Sequence, residues 1–302
     1  MNMGKDGDTW LRPILTPDEH GAAVARGDLF ERAGYVVQSD RRLSQVIRRR
    51  PPGITPRQWN SAVRTPLAFV VWDASTRTPV FVTEFRDPDR RAPDAERLDR
   101  MTNAVCAEVG LSLLRIESSA LRLRPHARRV VEYLIDARTF RDATASHEQP
   151  SGLPPHEPLS YRYITGRLPD GRTGYVNDLG VVARAAAVDA YVGRQVADPI
   201  IRGLHVGWKD GPAEGWGWLE VRAGLCIFER TRIWQHRFSC GVDRGRLAED
   251  LAVAAIGERL KTLDTVEAPL RGKERLGRDF DELRLRRDEM ENGFEFDHVS
   301  FE

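Results

Sequence analysis

Apolar positions along the chain fall into short runs separated by polar turns. Leu67-Ala-Phe-Val-Val-Trp-Asp73 and Val80-Phe-Val-Thr-Glu-Phe-Arg86 are the clearest pair. They read as a hairpin, with strands over 67–73 and 79–86 joined by a tight polar connection. Upstream, Pro17-Asp-Glu opens a helix expected to run to about Ala33, with acidic residues in its first turn. Tyr35–Gln38 is a short strand candidate, and Pro51-Pro52-Gly53 breaks the chain. Downstream, Leu98, Met101, Ala104, Val105 and Val109 recur at helical spacing. They predict a helix over Asp94–Val109, with Gly110 as its stop. Leu111–Ile116 is a compact buried strand, and a helix over about 125–137 carries Val130, Val131, Leu134 and Ile135.

A second region follows residues 142–159, whose prolines and Gly152 mark the best linker. Tyr161–Ile164 reads as a strand and Leu179–Val192 as an alanine-rich helix. Trp216–Glu220, Leu225–Arg230 and Ile233–Phe238 read as a three-strand meander. Asp243–Leu263 is a long amphipathic helix with Leu247, Leu251, Ala254, Ala255 and Leu260 on one stripe. From Arg271, arginine alternates with acid, as in a solvated helix. The pattern divides the chain into a flexible tail (1–17), an α/β domain (18–141), the linker, an α+β domain of unknown role (160–265) and a charged tail (266–302).

Composition adds bounds. The chain has 302 residues, 41% hydrophobic and 30% charged, with a formal net charge of +1. Global charge therefore makes no case for a strongly basic nucleic-acid binder. Its distribution is more informative: Arg41-Arg42, Arg48-Arg49-Arg50 and Arg122 to Arg129 crowd the first half. Such runs are either solvated surface in an arginine-rich chain or a phosphate-contacting surface. Cys106, Cys226 and Cys240 have neither pairing nor zinc spacing, as expected of buried thiols in a reducing compartment. The N-terminus lacks the apolar core of a secretory signal, and no stretch approaches a membrane span. A soluble cytoplasmic protein with no membrane partner is the expectation.

Glu84 sits inside an apolar strand, where a carboxylate is costly without a partner or a metal. With the turn centred near Thr76, Asp73 lies opposite Pro79 and Ala68 opposite Glu84. Opposed Cβ atoms are about 4.5–5.5 Å apart, so position 68 is where a second metal-binding carboxylate belongs. Asp73 is roughly 17 Å further along and on the other face; its plainer role is to shape the turn. One carboxylate holds Mg²⁺ weakly, and Asp87, Asp89 or Glu31 are the acids left to add oxygens. Arg86, on the same face as Glu84, can stabilise a phosphate but cannot accept a proton. The bland alternative is an ion pair of Glu84 with Arg86 or Arg115.

These segments together carry a family resemblance. Residues about 28–117 resemble a bacterial domain of unknown function related to very-short-patch-repair endonucleases, within the PD-(D/E)XK nuclease superfamily. The resemblance runs through Val36–Ile47, Leu67–Asp73, Thr78–Arg86 and Ala107–Ile116, closing on Gly-Leu-Ser-Leu-Leu-Arg-Ile116. It implies a restriction-endonuclease-like mixed sheet of about four strands flanked by helices. Its metal-ligand aspartate falls at Ala68, its glutamate at Glu84, and Arg86 to Arg91 lacks the usual glycine and histidine. Those departures imply impaired catalysis.

The remaining signals are weaker. In Gly203 to Trp218, tryptophans with His205 and Glu214 either stack on bases, line a pocket or fill a small core. Phe228 to Arg237 interleaves arginine with aromatic residues, as a half-exposed strand or a single-stranded nucleic-acid platform does. His236 and Cys240 are spaced for a metal pair but lack two further ligands. No phosphate-binding Gly-Lys-Ser/Thr loop or Gly-x-Ser-x-Gly elbow occurs.

The fold class expected is α/β, followed by a smaller α+β domain. The function expected is a nuclease-fold protein that binds DNA, RNA or a protein partner with little or no cutting. An active Mg²⁺- or Mn²⁺-dependent endonuclease and a purely structural interaction protein are the alternatives. Glu84 and Arg86 are the candidate catalytic residues, Glu84 and Asp87 the metal ligands, and Arg48, Arg49, Arg50 and Arg115 the nucleic-acid contacts.

Overall fold

The computed structural model describes residues 10–12, 28–90, 93–146, 161–168, 171–263 and 269–291. The chain is mixed α/β and divides into two compact units. One takes Met1–Phe85, Arg90–Arg115 and Gln235–Phe238; the other takes Arg86–Asp89, Ile116–Trp234 and Ser239–Glu302. Most of the expected linker, residues 147–159, lies outside the described residues.

The first unit carries strands in the order β1 (Leu29–Arg32), β2 (Tyr35–Arg42), β3 (Pro66–Asp73), β4 (Pro79–Arg86) and β5 (Ser112–Glu117). Strands β1 to β4 are antiparallel neighbours. Helix α1 (Leu43–Val46) and helix α2 (Pro56–Ala62) link β2 to β3. Thr55 starts α2 with a capping box: its hydroxyl accepts from Gln58 N–H, and Gln58 Oε1 accepts from Thr55 N–H at 2.9 Å. Helix α3 (Ala95–Glu108) connects β4 to β5. Ser118 N–H donates to the Arg86 carbonyl at 3.0 Å, so the C-terminal ends of β4 and β5 meet and the pair runs parallel.

Alternation along the strands builds two faces. Val70, Trp72 and Val82 pack with Val105 and Cys106 of α3 and Leu113 of β5. On the other face, Phe81 meets Phe238 edge-on at 5.1 Å, and Phe69 meets Phe85 at 6.4 Å. The expected hairpin, the helix over 94–109 and the strand after it are all present. The helix expected from 17 to 33 is not what its described end shows. Residues 29–32 form β1, because Ala33 (φ +48°) and Gly34 (φ +81°) make a tight turn into β2. The sheet segment therefore has five strands rather than about four.

The second unit contains α4 (Arg124–Ser146), a 3-10 turn (Tyr161–Tyr163), and a hairpin of β6 (Thr165–Arg167) and β7 (Thr173–Tyr175). It continues through α5 (Val181–Val192), β8 (Arg202–Gly207), β9 (Ala213–Arg222), β10 (Leu225–His236), α6 (Arg244–Leu260), β11 (Arg271–Gly272) and α7 (Lys273–Leu285). Strands β8, β9 and β10 are antiparallel neighbours, with β11 on β10. The expected meander needed a turn near Thr231. Instead β10 is unbroken, and the third strand is β8, upstream. Tyr161–Tyr163 is a 3-10 turn where a strand was expected.

One face of this sheet receives α6. The helix comes so close that a Cβ on Gly215 would lie 2.1 Å from the Ala248 carbonyl. The other face holds Trp216 and Trp218, whose rings meet Phe280 of α7 edge-on at 5.8 and 5.5 Å. The tryptophans fill a core, and α7 is not solvated all round: it buries Leu276, Phe280 and Leu283 over them. Asp250, on α6, is fully buried beside Arg162 at 2.8 Å. Arg162 and Arg184 both reach Asp178, at 3.5 and 2.6 Å. Burial pushes the Asp250 carboxyl up to about 7; Arg162 opposes this, while Asp178 and Glu249 add to it. His205 pairs with Glu249 at 2.7 Å.

Candidate functional site

Pairing of β3 with β4 fixes the surroundings of Glu84. Phe69 faces Thr83, Val70 faces Val82 and Val71 faces Phe81, so the next step outward sets Ala68 beside Glu84. The expected match of Asp73 with Pro79 fails by one residue. Trp72 faces Pro79, because the register shifts between Val71 and Trp72 and leaves Val80 as the extra residue. Asp73 shapes the turn: its Oδ1 accepts from Ser75 N–H, Thr76 N–H and the Ser75 hydroxyl at 2.9, 2.7 and 2.6 Å. The Ser75 hydroxyl, with the backbone amide of Thr76, holds its carboxyl below the ordinary range.

Glu84 is buried, and its partner is Arg115 on β5. Arg115 Nε lies 3.3 Å from Glu84 Oε1 and 3.3 Å from Asp99 Oδ1 on α3; the Glu84 and Arg115 side chains are each 3% exposed. Arg115 Nη1 also donates to Asn103 Oδ1 at 2.5 Å. His236 closes the cluster. Burial, with the Arg115 and Arg237 charges, holds its imidazole below the ordinary pKa; a hydrogen bond to the Asn103 backbone opposes this. Two carboxylates and an amide thus converge on one guanidinium. In this low-dielectric interior, removal of either charge leaves the other poorly compensated.

The remaining sequence candidates are spread more widely. Arg86 offers its carbonyl to Ser118. Asp87 has its own cation, Arg122 at 3.4 Å, and its Oδ1 accepts from Asp89 N–H at 3.2 Å. Arg49 stacks over the Trp10 ring at 4.7 Å, Arg50 donates to the Ile54 carbonyl at 3.2 Å, and Arg48 is exposed. Arg115, expected as a nucleic-acid contact, is buried in the Glu84 cluster and offers no surface. Among the described residues no group of three or more histidine, cysteine or acidic side chains is arranged to hold a metal ion. The donors at Glu84 do not fit a divalent cation, because a fixed guanidinium already lies 3.3 Å from its carboxylate.

The runs Arg41-Arg42 and Arg48 to Arg50, already prominent in the sequence, belong to one longer stretch whose freedom from acid escaped notice. Residues 41–72 contain seven arginines and no acidic residue. Arg42, Arg48, Arg49, Arg50, Arg57 and Arg64 are exposed, and Arg41 is half-buried. In a chain of nearly zero net charge, this concentrates positive potential on β2, α1 and α2. The arginines of Phe228 to Arg237 behave differently. Arg232 is 2.7 Å from the buried Glu214 carboxylate and Arg230 is 3.8 Å from it, so the neighbouring β9 supplies the counter-charge of these two arginines.

Comparison with known proteins bears on the first half only. Residues 42–133 match the model of a family described as a protein of unknown function, DUF2726. The matched span runs from the end of β2 into α4 and includes Ala68, Glu84, Asp99 and Arg115. No curated protein and no solved structure matches the chain. No helix among the described residues is long and apolar enough to cross a membrane.

Proposed function

We propose that this chain binds nucleic acid through a nuclease-like α/β unit and does not cut it. The observation that carries the reading is Arg115, with Nε 3.3 Å from both Glu84 and Asp99. In metal-dependent nucleases the acidic groups of such a site serve a divalent cation. Here a side-chain cation takes their charge, and position 68, where the resemblance implies the second ligand, is alanine. The acid-free arginine segment supports the binding half of the reading. Its six exposed guanidinium groups suit phosphates, which they can contact in bidentate fashion.

An active endonuclease is the second reading, and one relationship favours it. Asp40 falls between the pairs Ser39–Phe69 and Arg41–Leu67, hence across β3 from Ala68. It is the strand carboxylate nearest in register to Ala68, exposed and with a φ of +54°. For that chemistry Arg115 must release Glu84.

One experiment separates the readings. Labelled duplex and single-stranded DNA are titrated with the full chain in EDTA and in Mn²⁺ across a salt series. Supercoiled plasmid is incubated with wild type, Glu84→Gln, Ala68→Asp and Asp40→Ala. The proposed function gives binding that needs no metal, weakens log-linearly with salt and is lost in an Arg48→Glu, Arg49→Glu, Arg50→Glu variant. Cutting by wild type that vanishes in Glu84→Gln establishes the second reading, and loss of it in Asp40→Ala identifies the replacement ligand. No binding at low salt overturns both.

A further inference from the structure

The described residues of the second unit expose an apolar surface. Eight of the eleven exposed large hydrophobic side chains among the described residues lie between Ile164 and Ile200. Helix α5 carries half of them. Its Ala183, Ala187 and Ala190 pack in a core with Val253 and Ile256 of α6. Its outward side carries Val182, Val188 and Val192, and Val192 is 76% exposed. A surface helix ordinarily turns a polar face outward; α5 has only Arg184 and Asp189 as charged groups, and the rest of its exposed side is valine and tyrosine. The neighbouring β6–β7 hairpin adds exposed Ile164, Tyr175 and Val176. It is a two-stranded sheet by itself, extended at its ends by Val176 N–H to the Ile164 carbonyl and Leu168 N–H to the Arg172 carbonyl. Two strands alone are marginal in water. The hairpin is joined to α5 by Arg172 and Asp189, 3.2 Å apart.

We propose that this face, the outward side of α5 with the β6–β7 hairpin, is where two copies of the chain associate. Charge on the face argues for a second copy over a charged partner. The two ionic groups of α5 are both internally compensated: Arg184 by Asp178 at 2.6 Å and Asp189 by Arg172 at 3.2 Å. On the helix side such a face repels no identical face and offers an acidic or basic partner no excess charge to meet; Arg167 of β6 is the further exposed cation on the hairpin, donating to the Gly171 carbonyl at 3.4 Å. The exposed Arg172–Asp189 pair, turned by a two-fold axis, sets each positive group toward a negative one. Closed two-fold pairing of one patch with itself is also the commonest way chains of this size assemble. Large exposed apolar patches on soluble proteins mark association surfaces.

The test is sedimentation velocity of the full chain over a wide concentration range. Wild type, the double variant Val188→Glu with Val192→Glu, and Leu285→Glu are compared; Leu285 is 87% exposed on α7, outside the face. The expected result is a wild-type dimer, weakened about a hundredfold in the double variant by burial of unpaired carboxylates, and unchanged in Leu285→Glu. A wild type that stays monomeric at the highest concentration overturns the proposal. So does a dimer that the double variant leaves intact or that Leu285→Glu weakens equally. Hydrogen exchange on wild type alone gives a second reading independent of any variant. Protection of residues 164–168 and 173–192 rises with concentration if the proposal holds, and stays constant if it fails.

Discussion

Arg115 and Glu84 neutralise one another in the interior of the first unit, with Nε and Oε1 3.3 Å apart and both side chains 3% exposed. The same nitrogen serves Asp99 at the same distance. Arg115→Ala therefore abandons two carboxylates, one of them fully enclosed. The expected loss is about 3–5 kcal/mol in chemical denaturation. Glu84→Gln, which keeps the shape and leaves Asp99 beside the guanidinium, costs less. Equal losses in the two variants would show that the cluster is not arranged around Arg115.

Asp250 makes stability depend on pH in an unusual direction for an acid. Its folded-state carboxyl is raised from 3.8 to about 7, chiefly by burial. Between those values the folded chain holds a proton that the unfolded chain has released, so stability falls as pH rises from about 4 to about 7. Asp250→Asn removes this slope and leaves the variant the more stable protein at pH 8, on the order of 2–4 kcal/mol. Urea midpoints at pH 5 and pH 8 for the two proteins provide the check.

Gly215 has no room for a side chain: a Cβ would sit 2.1 Å from the Ala248 carbonyl. Gly215→Ala forces α6 away from β9, with an expected cost of about 3 kcal/mol and a clear drop in melting temperature. Gly224→Ala makes a useful comparison. Nothing lies within 4 Å of its Cβ, but its φ of +74° strains any side chain, so the loss there is of backbone origin and smaller.

Asp73 ties the β3–β4 turn through Ser75 and Thr76. Asp73→Ala should cost about 1 kcal/mol. Because its folded carboxyl is lowered, this contribution is present above the ordinary value of 3.8 and disappears as pH falls through the folded value. The difference between wild type and Asp73→Ala in thermal unfolding should therefore shrink below pH 4.

Much of the first unit was legible because its signals are local. Alternation in 67–73 and 79–86, the helical spacing of Leu98 to Val109 and the stop at Gly110 each read out within a few residues. Ala68 was placed beside Glu84 by counting from the turn, and the extra residue Val80 did not disturb that pair while it displaced Asp73. What escaped depends on distant partners. Strand β8 contains Gly203 and Gly207 and has only Leu204 and Val206 as buried apolar positions, so its alternation is too short to stand out; its order comes from pairing with β9. The break expected near Thr231 rested on polar residues whose charges Glu214 and Arg259 compensate. Arg115 was legible as one of two ion-pair partners for Glu84 and also read as a surface cation, because nothing nearby in sequence reveals Asp99 and Asn103 beside it.

The threading of the chain through the first unit has a practical result for anyone who divides it. Residues 235–238 return to that unit long after the chain has left it, and they bring His236 to the Arg115 cluster and Phe238 onto Phe81. A fragment ending anywhere before residue 235, however well it matches a sequence boundary, strips the cover from a phenylalanine that is otherwise fully enclosed. Such a piece is missing part of its own interior, and its failure to fold or to act would say nothing about the intact chain.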